Sequence, residues 1–341
     1  MGTIFISMER GGYMKKSTRR WLVGSGLAAT GLGITGAAYC AMTQYLVNVA
    51  LNRQVPRYVG AASRRLAGEL PDRQFMQRRH LAGERLKGKG GVTVEAEGRD
   101  GVRLVGHWFA HPSPKRVLVA MHGWRSNWSD DFGMISDFWF KHQCSVLYAE
   151  QRGQGESGGE YMGFGLLERH DCLAWVRWVN EQMEEKLPVY LCGVSMGAST
   201  VLMAAGLELP SNVSGIIADC GYSSPEAIWR HIAQDNLGVS YTMRSGTANA
   251  LCRRKICVGI DDYSCVDAMG ECEVPVLFVH GSDDRFVPIE MTYENYKACT
   301  GPKRLLVVPG AGHGMSYLVD RKKYEETVLD FWRDFDGTAD G

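Results

Sequence analysis

The chain carries no excess of charge of either sign. Its 38 lysines and arginines balance 38 aspartates and glutamates over 341 residues. No sequence-wide positive field results, so nucleic acid is not expected as a partner. Internal repeats, low-complexity tracts and a collagen-like glycine period are all missing, although 41 glycines are present. That excludes solenoid, disordered and fibrous architectures. No two of the ten cysteines make a C-x-x-C pair, and no histidine pair lies nearby, so no bound metal is expected.

Charge is also missing from residues 21–52, WLVGSGLAATGLGITGAAYCAMTQYLVNVALN. The most apolar part is 21–43, and about twenty helical residues rise about 30 Å, the thickness of a bilayer core. Lys15, Lys16, Arg19 and Arg20 precede it. The expected organisation is a cytoplasmic basic tail (1–20), a single-pass anchor in the cell membrane (21–43) and a folded domain on the outer side. A cleaved signal peptide and a buried core helix are the alternatives. The sequence GAAYC (36–40) lacks the small-x-small pattern that cleavage needs. Met14 opens MKKSTRRWLVG, which reads as a translation start, leaving 1–13 as an over-long leader. Residues 44–89 are basic and read as a juxtamembrane segment near anionic lipid, or as a solvated linker.

From residue 90 the chain alternates short β-branched runs with helical spacing. GVTVEAEG and VRLVGHWFAH read as a hairpin. RVLVAMHG, CSVLYAEQRG, PVYLCG, VSGIIADCG, VPVLFVHG and RLLVVPGAG read as strands, with helices between most of them. Fully apolar strands separated by helices predict an α/β fold, a mostly parallel sheet with helices on both faces. Leu166, His170, Leu173, Ala174 and Trp178 are expected to form the buried face of one such helix. Residues 225–273 fit no core strand and read as a cap insertion. Cys144, Cys172, Cys192 and Cys220 fall in core segments, as small hydrophobes. Cys252, Cys257, Cys265 and Cys272 cluster in the insertion, where an oxidising compartment would permit one or two disulfides.

One short stretch, LCGVSMGAST (191–200), places Ser195 between Gly193 and Gly197, after a strand and before a small-residue helix. That is the context of a nucleophile elbow, in which a sharp turn exposes a serine oxygen near a helix N-terminus. A serine hydroxyl needs a base, and the base needs an orienting acid. Downstream, HGSDDRFVP (280–288) offers Asp284 or Asp283, and GAGHG (310–314) offers His313. Asp284 is preferred, because FVP then re-enters the next helix. The backbone N–H groups of Met196 and of Trp124, in HGWRSN (122–127), are the expected donors to an oxyanion. Arg152 is expected as a structural ion-pair partner, His170 as a packed helix histidine, and Asp171 as a surface charge or brace. Trp229, Tyr241 and Met243 line the insertion's pocket or pack it onto the body.

With these stretches in view, the chain resembles the α/β-hydrolase superfamily. Within it, the chain is similar to bacterial membrane-anchored serine hydrolases of the prolyl-oligopeptidase-like and monoacylglycerol-lipase-like branches. MHGWRSN, EQRGQGESGG, GVSMGAS, DCGYSS, VPVLFVHGSDDRFVP and VPGAGHGMSYL carry the resemblance over about residues 90–335. It implies an α/β-hydrolase domain at 90–341, a triad of Ser195, His313 and Asp284, an acyl-enzyme, and no metal or organic cofactor. Glu150 and Gln154 replace the usual aspartate and histidine of the loop at 150–157, which is expected to brace the elbow. The expected substrate is a small-molecule or lipid ester. A serine aminopeptidase-like peptidase and a non-catalytic binding module are the alternatives.

Overall fold

The computed structural model describes residues 38–54, 73–183, 186–242 and 244–336. The basic tail, most of the expected membrane span and Met243 lie outside them. Residues 38–51 are helical. Among the described residues no helix is long and apolar enough to cross a membrane. The chain divides into a short unit, Met1–Leu46, and a large one, Val47–Gly341. The large unit carries everything that follows.

Eight strands form one sheet: β1 Val92–Glu97, β2 Arg103–Phe109, β3 Arg116–Met121, β4 Cys144–Glu150, β5 Val189–Val194, β6 Val213–Asp219, β7 Val276–Gly281 and β8 Lys303–Val308. Their order is β1-β2-β4-β3-β5-β6-β7-β8. The β1–β2 hairpin is antiparallel and joins β4 antiparallel, and every pairing from β4 to β8 is parallel. The sequence explains the difference. β3, β4, β6 and β7 are buried at every position because helices cover both faces, whereas the edge strand β1 alternates between exposed and half-buried side chains.

Two apolar layers flank the sheet. One contains Trp175, Val176, Val179 and the helix Met196–Ala204; the other contains Trp139, Tyr148, Phe331 and Trp332. Val47 and Leu51, in the stretch read as juxtamembrane, belong to the first layer. The helix Glu168–Gln182 buries Glu168, Asp171, Cys172, Trp175, Val176 and Val179 most deeply; of the face through Leu166, His170, Leu173, Ala174 and Trp178 that spacing predicts, Leu166 is buried and Ala174 and Trp178 pack half-buried against the same layer, so the buried face is turned from the predicted one. The rotation has a polar cause. The Glu168 carboxylate accepts the N–H groups of Gly163 and Gly165, and the Asp171 carboxylate pairs with the buried Arg152 guanidinium at 2.6 Å. Asp171 is thus a brace and not a surface charge, and Arg152 is the ion-pair partner expected of it. His170 is half-buried, and burial draws its imidazole down to about 4.

Between β6 and β7 the chain forms the helices Pro225–His231, Ser245–Ile256 and Cys265–Gly270, with one wider turn at Ile232–Asn236. These helices occupy the stretch 225–273 that reads as a cap insertion. Its four cysteines are free thiols, as are all the cysteines described, which corrects the expectation of disulfides there. Cys252, Cys265 and Cys272 are packed as small hydrophobes and Cys257 is exposed.

Candidate active site

The parallel strands aim their carboxyl ends at one rim of the sheet, where loops gather polar side chains. β5 ends at Val194, and Ser195 follows with φ 56° and ψ −119° before the helix starts at Met196. A non-glycine residue at that φ is strained by about 1–3 kcal/mol. Packing enforces it. A Cβ on Gly193 would overlap the Gly197 carbonyl, and a Cβ on Gly197 would overlap the carbonyl of Met121 at the end of β3. The two glycines let the elbow close against the neighbouring strand. The Ser195 N–H donates to the Asp219 carbonyl at 2.9 Å and fixes the turn to β6.

The loop after β8 brings His313 to this serine, and the loop after β7 brings Asp284. His313 Nε2 lies 2.9 Å from Ser195 Oγ, and its Nδ1 lies 2.7 Å from Asp284 Oδ2. Asp284 Oδ1 accepts the N–H groups of Phe286 and Val287, each at 2.9 Å. Asp283 is exposed, and its carboxylate receives the Ser282 hydroxyl. Of the two candidate acids, the structure brings Asp284 to the histidine.

Behind Asp284 stands His280, which sequence reasoning passed over. Its Nε2 faces two acceptors, Val287 O at 2.9 Å and Asp284 Oδ2 at 3.3 Å, so that nitrogen carries the proton. Its Nδ1 then accepts the Thr292 hydroxyl at 2.6 Å. Burial opposes the charge on Asp284, but the His313 charge and the His280 hydrogen bond outweigh it and hold the carboxyl below the usual aspartate range. Burial likewise opposes a proton on His313. The Asp284 carboxylate overrides it and raises the imidazole well above the ordinary histidine range.

The loop after β3 passes beside the serine, so that a Cβ added to Gly123 would touch Ser195 Cβ. Asp131 holds it there. Asp131 Oδ2 accepts the Gly123 N–H at 2.7 Å, while Oδ1 accepts the Ser126 hydroxyl at 2.7 Å and pairs with Arg79. Gln154 accepts the Arg125 N–H at 2.6 Å. His122 is buried and accepts the Gln151 N–H on Nε2, so its Nδ1–H donates to Gly123 O at 2.8 Å. The N–H groups of Trp124 and Met196 donate to no acceptor among the described residues. One of these unengaged donors follows the serine directly, at a helix N-terminus, and the other lies in the loop after β3. The arrangement can deprotonate a hydroxyl and hold negative charge next to it.

Cys220 Sγ, Asp284 and His313 offer ligand atoms within 4.8 Å of one another. A metal fits poorly there. Both His313 nitrogens and both Asp284 oxygens are already hydrogen-bonded, and burial pushes the Cys220 thiol up to about 11.

The order of the strands and the elbow after β5 define the α/β-hydrolase fold, and the comparisons agree. The family described as "Serine aminopeptidase, S33" matches residues 112–234. The uncharacterized protein YqkD of Bacillus subtilis is 27% identical over 229 residues, 66% of this chain and 73% of that protein. The esterase Pf2001 of Pyrococcus furiosus superposes with a TM-score of 0.60 at 20% identity, covering 73% of this chain and 92% of that one. The acylaminoacyl peptidase of Pyrococcus horikoshii gives 0.54 at 14% identity, covering 72% and 41%.

Proposed function

We propose that the protein is a serine hydrolase that cleaves carboxylic esters through an acyl-enzyme. Ser195 Oγ attacks the acyl carbon while His313 Nε2 takes its proton. The resulting oxyanion is held by the N–H groups of Met196 and Trp124. His313 then returns the proton to the leaving alkoxide, and Asp284 stabilises the imidazolium between the two transfers. A water molecule, deprotonated by the same histidine, releases the acid and restores the serine. The observation that carries this reading is the hydrogen-bonded line from Asp284 through His313 to Ser195, at 2.7 and 2.9 Å.

The family match and the peptidase likeness favour a second reading, an aminopeptidase. That chemistry calls for an unpaired acid to receive the substrate's amine. Four acids of the insertion are already engaged, while Asp267, Glu271 and Glu273 make no ion pair among the described residues. Glu226 pairs with Arg230, Asp235 with His231, and Asp261 and Asp262 with Arg253. Attachment to the cell membrane through residues 21–43, with the catalytic domain outside, is part of the proposal. It rests on the uncharged stretch and its basic flank, and recovery of the full chain in the soluble fraction would remove it. Fluorophosphonate labelling followed by a panel of p-nitrophenyl acyl esters and aminoacyl amides tests the chemistry; hydrolysis of the amides alone would reverse the order of the two readings.

A further inference from the structure

A helix leaves its last four carbonyls without intrahelical donors, and they need partners from elsewhere. At the end of the helix over 38–51 those carbonyls are satisfied in an unusual place. Val49 O and Asn52 O both accept Arg125 Nη2 at 2.7 Å, Ala50 O accepts the Trp124 indole N–H at 2.9 Å, and Leu51 O accepts the Met162 N–H at 2.7 Å. The Arg125 guanidinium sits where the helix dipole is negative. Arg125 itself has φ 50°, so its backbone is held in a conformation that an untethered loop would leave.

The segment is fastened on its other sides as well. Arg53 N–H donates to Glu160 O at 2.8 Å, and its guanidinium reaches the carbonyls of Gly155 and Ser157. Lys255 of the insertion donates to Asn52 Oδ1 at 3.0 Å. The side chains of Val47 and Leu51 are buried. Residues 47–53 therefore touch the loop beside Ser195, the loop that follows β4, and the insertion.

We infer that residues 47–53 are a positioning element of the active site: by anchoring the side chains of Trp124 and Arg125, they set the Trp124 N–H where it receives the oxyanion. The inference rests on the serine hydrolase reading above. Arg125 touches no reacting atom and acts through the backbone next to it. Hydrolysis thereby depends on the seat of a segment that is continuous in sequence with the apolar stretch 21–43.

The test uses the full chain and compares Arg125→Met, Arg125→Lys and Trp124→Phe with Arg116→Met. The last breaks a buried ion pair with Asp336 at the opposite end of β3 and serves as a structural control. A misplaced donor costs a rate of about tenfold to a hundredfold, so Arg125→Met should lower kcat and the fluorophosphonate labelling rate together by that amount. KM and the pH profile should hold, and Arg125→Lys should recover part of the loss. Arg116→Met should lower Tm and leave kcat in place. If Arg125→Met does not fold, Trp124→Phe, which deletes the indole donor, carries the same comparison through a smaller drop in kcat. An unchanged kcat in the Arg125 or Trp124 variants, or a loss matched by Arg116→Met at equal Tm, overturns the inference. Wild-type protein that takes no label overturns the hydrolase reading itself.

Discussion

Gly197 lies so close to the carbonyl oxygen of Met121 that no side chain fits between them. The contact joins the helix behind Ser195 to the end of β3, from which the loop bearing Trp124 departs. A methyl there has to displace one or the other. Overpacking a tight site costs about 1–3 kcal/mol or more, so Gly197→Ala should lower Tm clearly and abolish labelling of Ser195. Thermal melts with and without probe measure both.

Asp284 and Asp283 are adjacent in sequence but separate in role. Removing the acid that fixes the tautomer of the base costs a rate of about ten-thousandfold. Asp284→Asn should show a loss of that order in kcat. Asp283→Asn, at an exposed side chain, should stay near wild type. Steady-state kinetics on one p-nitrophenyl ester separates them, and the reverse ranking would move the acid by one residue.

The pH profile follows from His313. The proposed mechanism needs its neutral form as a base, and Asp284 holds the protonated form in place. The rising limb of kcat/KM should therefore lie above the ordinary histidine value of about 6.5. Activity should be low where His313 is charged and increase as pH climbs through that raised value. In Asp284→Asn the limb should move to lower pH while the plateau falls.

Asp219, buried beneath the elbow, offers a stability test. Burial raises its carboxyl to about 6, although the Ser316 hydroxyl donates to it at 3.0 Å. Its unfolded value is about 3.9, so the folded protein binds the proton more tightly. The stability this gives is complete below the unfolded value and is lost as pH rises through about 6. Asp219→Asn should therefore gain on wild type between acid and neutral pH, as read by urea unfolding at several pH values.

Much of the fold was legible because the strands of the parallel part are largely apolar runs, and the triad candidates were legible because each follows such a run. The elbow needed no more than its two glycines and its strand–helix setting. What stayed hidden was set by partners far away in sequence. The face of the helix Glu168–Gln182 could not be read from apolar spacing, because Asp171 is buried by Arg152 and Glu168 by two backbone N–H groups. His280 looked like part of a strand end. Its role appears only when Asp284 folds back against it. The four clustered cysteines of the insertion were open to one or two disulfides in an oxidising compartment. Cys252 and Cys265 instead fill apolar positions. Val47 and Leu51 read as the tail of an uncharged stretch. Only the loop bearing Trp124 and Arg125, more than seventy residues onward, reveals that the neighbouring carbonyls of Val49 and Ala50 are anchored.

The central claim is that Ser195 is an activated nucleophile. Full-length protein and its Ser195→Ala variant, treated side by side with a fluorophosphonate probe, test it most directly. The account predicts that the wild type is labelled at Ser195 and hydrolyses p-nitrophenyl esters, while the variant takes no label and loses about a millionfold in kcat. A folded wild type that takes no label, or a variant that keeps its activity, would contradict it.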